Sequence, residues 1–547
     1  MKLRSTMMAS PLNIARILSH GASRHHASVV TEVHPDDTQN RATFAEVGHR
    51  CAAISAALEK LGIGEGDAVG MMLSNRFESF ELMLAVPAMG AVIHPINVQL
   101  SQSMILATIA SIDKSVLVTG PGALEYLAKH RKRFPSLRHV ILIGGDVEDV
   151  EPEGWEGVSV HSYEQLLDGM PSHREWPDTD ENAPAVVCHT SGTTGMPKAV
   201  VYSHRSIYLH AMSMGAADGM AITARDTVLS MVPLFHVMGW GIPYATMMFG
   251  NDLVLARSTS AETGSQTAAL ERGVSATQPT VIACTPVHFA AFLRAIDERR
   301  EFLDNLDRVI LGGSAVPTAL SDKIAADYDF HVIHAWGMTE TGPLGTSSNT
   351  LHGGHPMSQG RFNSQMFARV IDLSGTPLRG QTGFGELEVS GPYVTGSYLN
   401  ADPEQDKSFD DGWFRTGDIA HVSDDGYLTI IDRLADAILS GGEWISSVEL
   451  ENAVMELPEV AEAACIGVPD SYWGQRPLCV VTMHPWAEPT TAERLYADLT
   501  SVAEWKRPDH WAFLDEIPRT SVGKFDKRTL RRWYAQGRFD VSSTNRD

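Results

Sequence analysis

The sequence predicts an α/β protein in which a large N-terminal domain of several subdomains with layered sheets precedes a small α+β C-terminal domain. Three observations predict it. Short apolar strands alternate with helical stretches through the first part of the chain, and the strands are apolar without a polar face, as buried parallel sheets require. The 547 residues exceed what one simple core accommodates. Beyond the segment Asp432-Arg433-Leu434-Ala435-Asp436, about a hundred residues carry strands of their own, such as 478–483. The expected division is therefore 1–432, a connecting hinge at 433–436, and 437–547.

Taken in order, Thr43-Phe44-Ala45-Glu46 has the spacing of a capping box. Val47, Cys51, Ile54, Leu58 and Leu61 then recur at steps of four and three before Gly62, which predicts an amphipathic helix with a glycine stop. A strand follows at 69–73, a helix around 80–88, a strand at 91–96 and a further apolar run at 140–143.

Composition narrows the functional classes. A formal charge of -24 disfavours nucleic acid and anionic membrane surfaces, so a polyanionic ligand needs a local basic site. No apolar run reaches the ~20 residues that span a bilayer, and the N-terminus lacks the apolar core of a secretory signal. The expected location is cytoplasmic. Cys51, Cys188, Cys284, Cys465 and Cys479 lie far apart in apolar runs, without metal-site spacing, and read as reduced core residues.

Chemistry concentrates in Thr190-Ser191-Gly192-Thr193-Thr194-Gly195-Met196-Pro197-Lys198, set between strand-like segments at 185–188 and 199–202. Glycines let backbone amides approach phosphate oxygens, hydroxyls add donors, and Lys198 adds a mobile charge. Pro197 before the lysine and Ala199 after it exclude a Walker A loop.

With this loop the chain resembles the adenylate-forming superfamily of acyl-CoA synthetases, luciferases and peptide-synthetase adenylation domains. The resemblance rests on further motifs in the family's order: Trp336-Gly337-Met338-Thr339-Glu340-Thr341, Gly412-Trp413-Phe414-Arg415-Thr416-Gly417-Asp418, the segment from Asp432 to Glu451, and Pro518-Arg519-Thr520-Ser521-Val522-Gly523-Lys524. It departs from the family at Ala199, where glycine is usual, and at the hinge position Ala435, where Lys or Asp is usual.

The resemblance implies an AMP-forming carboxylic acid:CoA ligase using ATP, Mg²⁺ and coenzyme A. By the same resemblance Trp336 lies against adenine, with Gly337 and Met338 beside it among the nucleotide-binding residues, Thr339 bonds the α-phosphate, Glu340 helps hold Mg²⁺, Asp418 binds the ribose, Arg433 is a second ribose or phosphate contact, and Lys524 is the catalytic cation of adenylation. A rotation of a mobile C-terminal domain would then exchange the Lys524 loop for the face carrying Gly441, Gly442, Glu443 and Trp444, where the thiol step takes place.

For the acid, Trp240 falls at the position of a gate tryptophan in fatty acyl-CoA synthetases, and Gly312-Gly313-Ser314 after the strand 309–311 resembles the pocket wall. His236 reads either as a contact to the substrate carboxylate or as a satisfied core histidine. As a whole the chain most resembles ligases of 3-methylmercaptopropionate in the medium- and long-chain branch, so the expected acid is that thioether or a short- to medium-chain fatty acid. Met231, Met238, Met247 and Met248 read as a soft thioether pocket or as core filling. A long-chain fatty acid, or a nucleotide-binding regulator without catalysis, are the competing readings. A homodimer is one assembly compatible with them.

Overall fold

The structure, a computed structural model, describes residues 5–145, 147, 154–190, 197–259, 263–297, 299–350, 358–372, 374–378, 383–402, 406–519 and 525–544, with the backbone alone at 237, 238 and 263. These residues fall into two compact units, one of 1–190, 197–366 and 391–405, the other of 367–390 and 406–547.

In the first unit the capping box forms as spaced: the Thr43 hydroxyl accepts from Glu46 N at 3.2 Å, and the Glu46 carboxylate accepts from Thr43 N at 2.7 Å. The helix Phe44–Lys60 buries Val47, Cys51, Ile54 and Leu58 and stops before Gly62, whose φ of 85° a side chain would resist. The remaining early elements appear within a few residues of expectation, as Ala68–Met72, Phe77–Ala88, Val92–Pro95 and His139–Leu142.

One sheet of this unit runs in the order Ser159–Ser162, His139–Leu142, Val116–Thr119, Ala68–Met72, Val92–Pro95, Pro184–His189, Ala199–Ser203. It is parallel except for its last pair, so the chain turns directly back between His189 and Ala199. A second sheet runs parallel from His331–Gly337 through Arg308–Gly312, Val281–Cys284, Thr227–Ser230 and Asp252–Ala256 to Val29–Val33. Antiparallel strands flank it, Gln39–Thr43 beside Val29–Val33 and Leu344–Asn349 beside His331–Gly337. Its strands bury Leu229, Val254, Ile282, Val309 and Leu311 against the helices Thr263–Thr277 and Pro286–Ala295, around Phe289 and Phe292.

The N-terminal helix Ile14–Arg24 is locked to this unit. Leu12 N donates to Glu181 at 3.0 Å, the Asn13 amide donates to Thr179 O at 3.1 Å, and Ile14 N donates to the His204 imidazole at 3.3 Å. Gly21 passes so close to Met247 that a Cβ there would stand 2.7 Å from its carbonyl oxygen.

The second unit is α+β. Phe367–Ile371, Gly385–Ser390, Trp413–Val422 and Tyr427–Arg433 pair antiparallel. A further sheet centres on Gly474–Met483, flanked by Val460–Asp470 on one side and His510–Phe513 on the other. The helix Ser447–Met455 covers one face with Leu450 and Val454, and Lys527–Ala535 supplies Leu530 to the other. Among the described residues no helix is long and apolar enough to cross a membrane. The α/β expectation with a smaller C-terminal domain is thus met.

Candidate active site

Antiparallel pairing of His189 with Ala199 brings both ends of the phosphate-loop segment together. Thr190 N donates to Lys198 O at 2.8 Å and Lys198 N donates to the Thr190 hydroxyl at 3.1 Å, closing the stem. Ser191, Gly192, Thr193, Thr194 and Gly195 lie outside the described residues, as does Lys524.

From the stem a chain of contacts leads to the acidic turn. Leu399 N donates to Ala199 O at 2.9 Å, which holds Tyr398 where the Lys198 ammonium lies 4.2 Å from its ring centroid. The Tyr398 hydroxyl in turn donates to the buried Glu340 carboxylate. Glu340 O accepts from Thr395 N at 2.9 Å, and Thr339 O accepts from the Tyr202 hydroxyl, whose own pKa burial drives well above its ordinary value. Thr339–Thr341 is a single tight turn, fixed by the Thr341 hydroxyl accepting from Met338 N at 2.9 Å. Of the predicted residues, the structure therefore joins Thr190, Lys198, Thr339 and Glu340. Tyr398 and Tyr202 escaped the sequence reading: they stand outside the glycine-rich motifs, and Tyr202, four residues after the loop lysine, was the one with a nearby signal.

Trp336 is buried near the end of its strand, edge-on to Phe362 with ring centroids 6.4 Å apart, and its indole rests on Gly345, where a Cβ would come within 2.5 Å of it. A Cβ on Gly337 would stand 1.7 Å from Pro343 O, so that close approach admits glycine alone.

The acid-pocket candidates also converge. Gly239, Trp240 and Gly241 have φ of 56°, 56° and 75°, a left-handed turn in which the tryptophan sits in a region its side chain disfavours. Its indole lies over Gly312 and Gly313: a Cβ on Gly312 would be 3.0 Å from Trp240 Cη2, and one on Gly313 3.9 Å from Cζ2. Ser314 is exposed beside them. His236 is half-buried, its N–H on Pro233 O at 2.9 Å and its carbonyl accepting from Gly239 N at 3.0 Å. Asn75, which sequence reasoning passed over, clamps this segment by donating to Val232 O and accepting from Leu234 N, both at 2.8 Å. Met247 packs at Gly21 and Met231 belongs to the hydrophobic core, so these two act as core filling.

In the second unit Asp418 and Arg433 face each other across paired strands, the guanidinium Nε 2.9 Å from the buried carboxylate, with Arg433 also donating to Thr416 O at 3.1 Å. Gly441 and Gly442 form a turn at φ of 61° and 91°, after which Glu443 and Trp444 pair back on Ser440 and Leu439. Gly441 N donates to Trp473 O at 2.8 Å.

No group of three or more His, Cys, Asp or Glu among the described residues could hold a metal. The Glu340 carboxylate beside the Thr339 turn still fits Mg²⁺, a hard cation that takes one or two protein carboxylates and completes its shell with phosphate oxygens and water.

A left-handed tryptophan turn, a closed stem beneath a glycine-rich loop and a buried carboxylate all belong to the first, α/β unit, an arrangement compatible with a nucleotide-using enzyme. The model for AMP-binding enzymes matches residues 19–399, and that for the AMP-binding enzyme C-terminal domain matches 449–524. The chain belongs to the AMP-binding enzyme family. It is 34% identical to a 3-methylmercaptopropionyl-CoA ligase of Ruegeria lacuscaerulensis, covering 96% of this chain and 98% of that protein. It is 33% identical to a medium-chain-fatty-acid–CoA ligase of Ectopseudomonas oleovorans (96% and 97% covered) and 35% identical to a long-chain-fatty-acid–CoA ligase of Thermus thermophilus (97% of each). These likenesses place it among acyl-CoA ligases. Its fold is shared with an anthranilate CoA ligase in complex with anthranoyl-AMP, at a TM-score of 0.84 and 23% identity over 98% of this chain and 100% of that one.

Proposed function

We propose that this acyl-CoA ligase activates a short- to medium-chain aliphatic acid, 3-methylmercaptopropionate among the candidates, as its acyl-adenylate and passes the acyl group to coenzyme A. In the first half-reaction a carboxylate oxygen attacks the α-phosphorus of ATP and the bond to pyrophosphate breaks. Lys198, steered by the Tyr398 ring, neutralises the departing phosphates, and Thr339 bonds the α-phosphate. When bound at Glu340, Mg²⁺ supplies charge neutralisation on the phosphates. Asp418 accepts from the ribose hydroxyls and Arg433 orients it, while Lys524 bridges the carboxylate and the α-phosphate. In the second half-reaction the CoA sulfur attacks the acyl carbon and AMP leaves, with a hinge at 433–436 exchanging Lys524 for the Gly441–Gly442 turn.

The observation that carries this reading is the run of contacts from Lys198 through Tyr398 to Glu340. The packing of Trp240 on Gly312 supports a shorter acid, because an indole against the wall takes up the space a long chain would need. Incubation with ATP, Mg²⁺, CoA and a ladder of acids that includes 3-methylmercaptopropionate should give acyl-CoA, AMP and pyrophosphate, with an optimum at short or medium length. An optimum at long chains would overturn the choice of acid, and absence of ATP–pyrophosphate exchange with every acid would favour a regulator. Lys524→Ala should slow adenylation by about a hundredfold or more, and unchanged acyl-AMP formation would remove that lysine from the mechanism.

A further inference from the structure

The five cysteines are all buried and none is in a disulfide, and two of them meet. Cys465 on Val460–Asp470 and Cys479 on Gly474–Met483 are direct cross-strand partners in an antiparallel pair, with their sulfurs 2.9 Å apart. Cys465 N donates to the Glu451 carboxylate at 2.7 Å rather than to Cys479. The two therefore occupy a non-hydrogen-bonded position, where opposed Cα atoms approach to about 4.5 Å and opposed side chains are closest. That separation lies within the range a disulfide requires. Both side chains point to the face covered by Leu450, Val454 and Trp511, while their neighbours Ala464, Ile466, Leu478 and Val480 point to the other.

We propose that Cys465 and Cys479 are an oxidative modification site, converted by a hydroperoxide into a cross-strand disulfide. One sulfur attacks the peroxide oxygen, the O–O bond breaks and an alcohol leaves (water, for hydrogen peroxide), giving a sulfenic acid. The second sulfur attacks the first and expels water. The two sulfurs lose two electrons in all, which reduce the peroxide. Because both thiols are buried, and burial holds the Cys465 thiol well above its ordinary pKa, the first attack waits on opening of the strand Val460–Asp470. Re-pairing of the strand then returns the sulfenic acid to its cross-strand partner, and ring closure is fast once the two sulfurs are back in contact.

The full chain is treated with hydrogen peroxide, with and without low urea, then alkylated in strong denaturant and digested without reduction. The expected result, in at least one arm, is a fall from five alkylatable thiols to three, with a Cys465–Cys479 linked peptide and a higher urea midpoint than untreated protein. Cys465→Ala and Cys479→Ala should each keep four. Five alkylatable thiols in both arms, a linked peptide containing another cysteine, or a Cys465→Ala chain that loses two thiols would each overturn the site.

Discussion

Tyr398 ties the loop lysine to the acidic turn, because it touches the Lys198 cation with its ring and the Glu340 carboxylate with its hydroxyl. Tyr398→Phe keeps the ring and removes a hydrogen bond to a charged group, which costs about 1.5–3 kcal/mol. The expected outcome is a fall in unfolding free energy of that order, read by thermal unfolding, together with a tenfold or greater loss in kcat/KM for MgATP carried mainly by KM. Steady-state kinetics at saturating acid and CoA checks it, and an unaltered KM would show that the contact positions nothing. Lys198, Thr339 and Glu340 were legible in the sequence because each sits inside a run of unusual composition. Tyr398 was not, since the hydroxyl that bonds Glu340 comes from 58 residues away. Asn75 is bound to a carbonyl 157 residues off, and no local pattern marks such a partner.

At the scale of elements, the turn at Gly239, Trp240 and Gly241 depends on its flanking glycines. Gly241 has φ of 75°, and a Cβ there would stand 2.5 Å from the His210 imidazole Nδ1. Gly241→Ala should therefore destabilise by about 1–3 kcal/mol from backbone strain, with the steric clash in addition, and should broaden or shift the acid chain-length optimum as Trp240 is displaced. Thermal unfolding and the acid ladder read the two effects separately. By contrast, Thr43→Ala should cost about 1 kcal/mol through loss of the helix cap and leave the chain-length profile alone. The capping box was plain in the sequence because its partners are three residues apart. The left-handed tryptophan was hidden, for aromatic residues seldom adopt that backbone and the packing of its indole on Gly312 comes from a strand some seventy residues away.

The whole molecule carries a set of buried neutral imidazoles. Burial lowers His189, His204 and His334 to about 4 and His210 to about 3. In the unfolded chain each titrates near 6.5, so between those values the unfolded state binds more protons. The stability such a group contributes is present above pH 6.5 and is lost as pH falls toward the folded value. His210, whose Nε2 accepts from Leu344 N at 3.0 Å, isolates the effect. The unfolding free energy of wild type relative to His210→Gln should fall by about 1.4 kcal/mol per pH unit below 6.5, as read from urea midpoints across pH. A pH-independent difference would mean that the imidazole titrates alike in both states. Alternating strands and helices made the α/β class legible at this scale. The order of strands in each sheet was not, because Val29–Val33 finds its parallel neighbour Asp252–Ala256 more than two hundred residues later by packing rather than by pattern. A practical corollary concerns the front of the chain: with Leu12, Asn13 and Ile14 each tied to distant residues, an affinity tag belongs ahead of residue 10 or at the other terminus, and clipping away the first helix would strip a wall from the core.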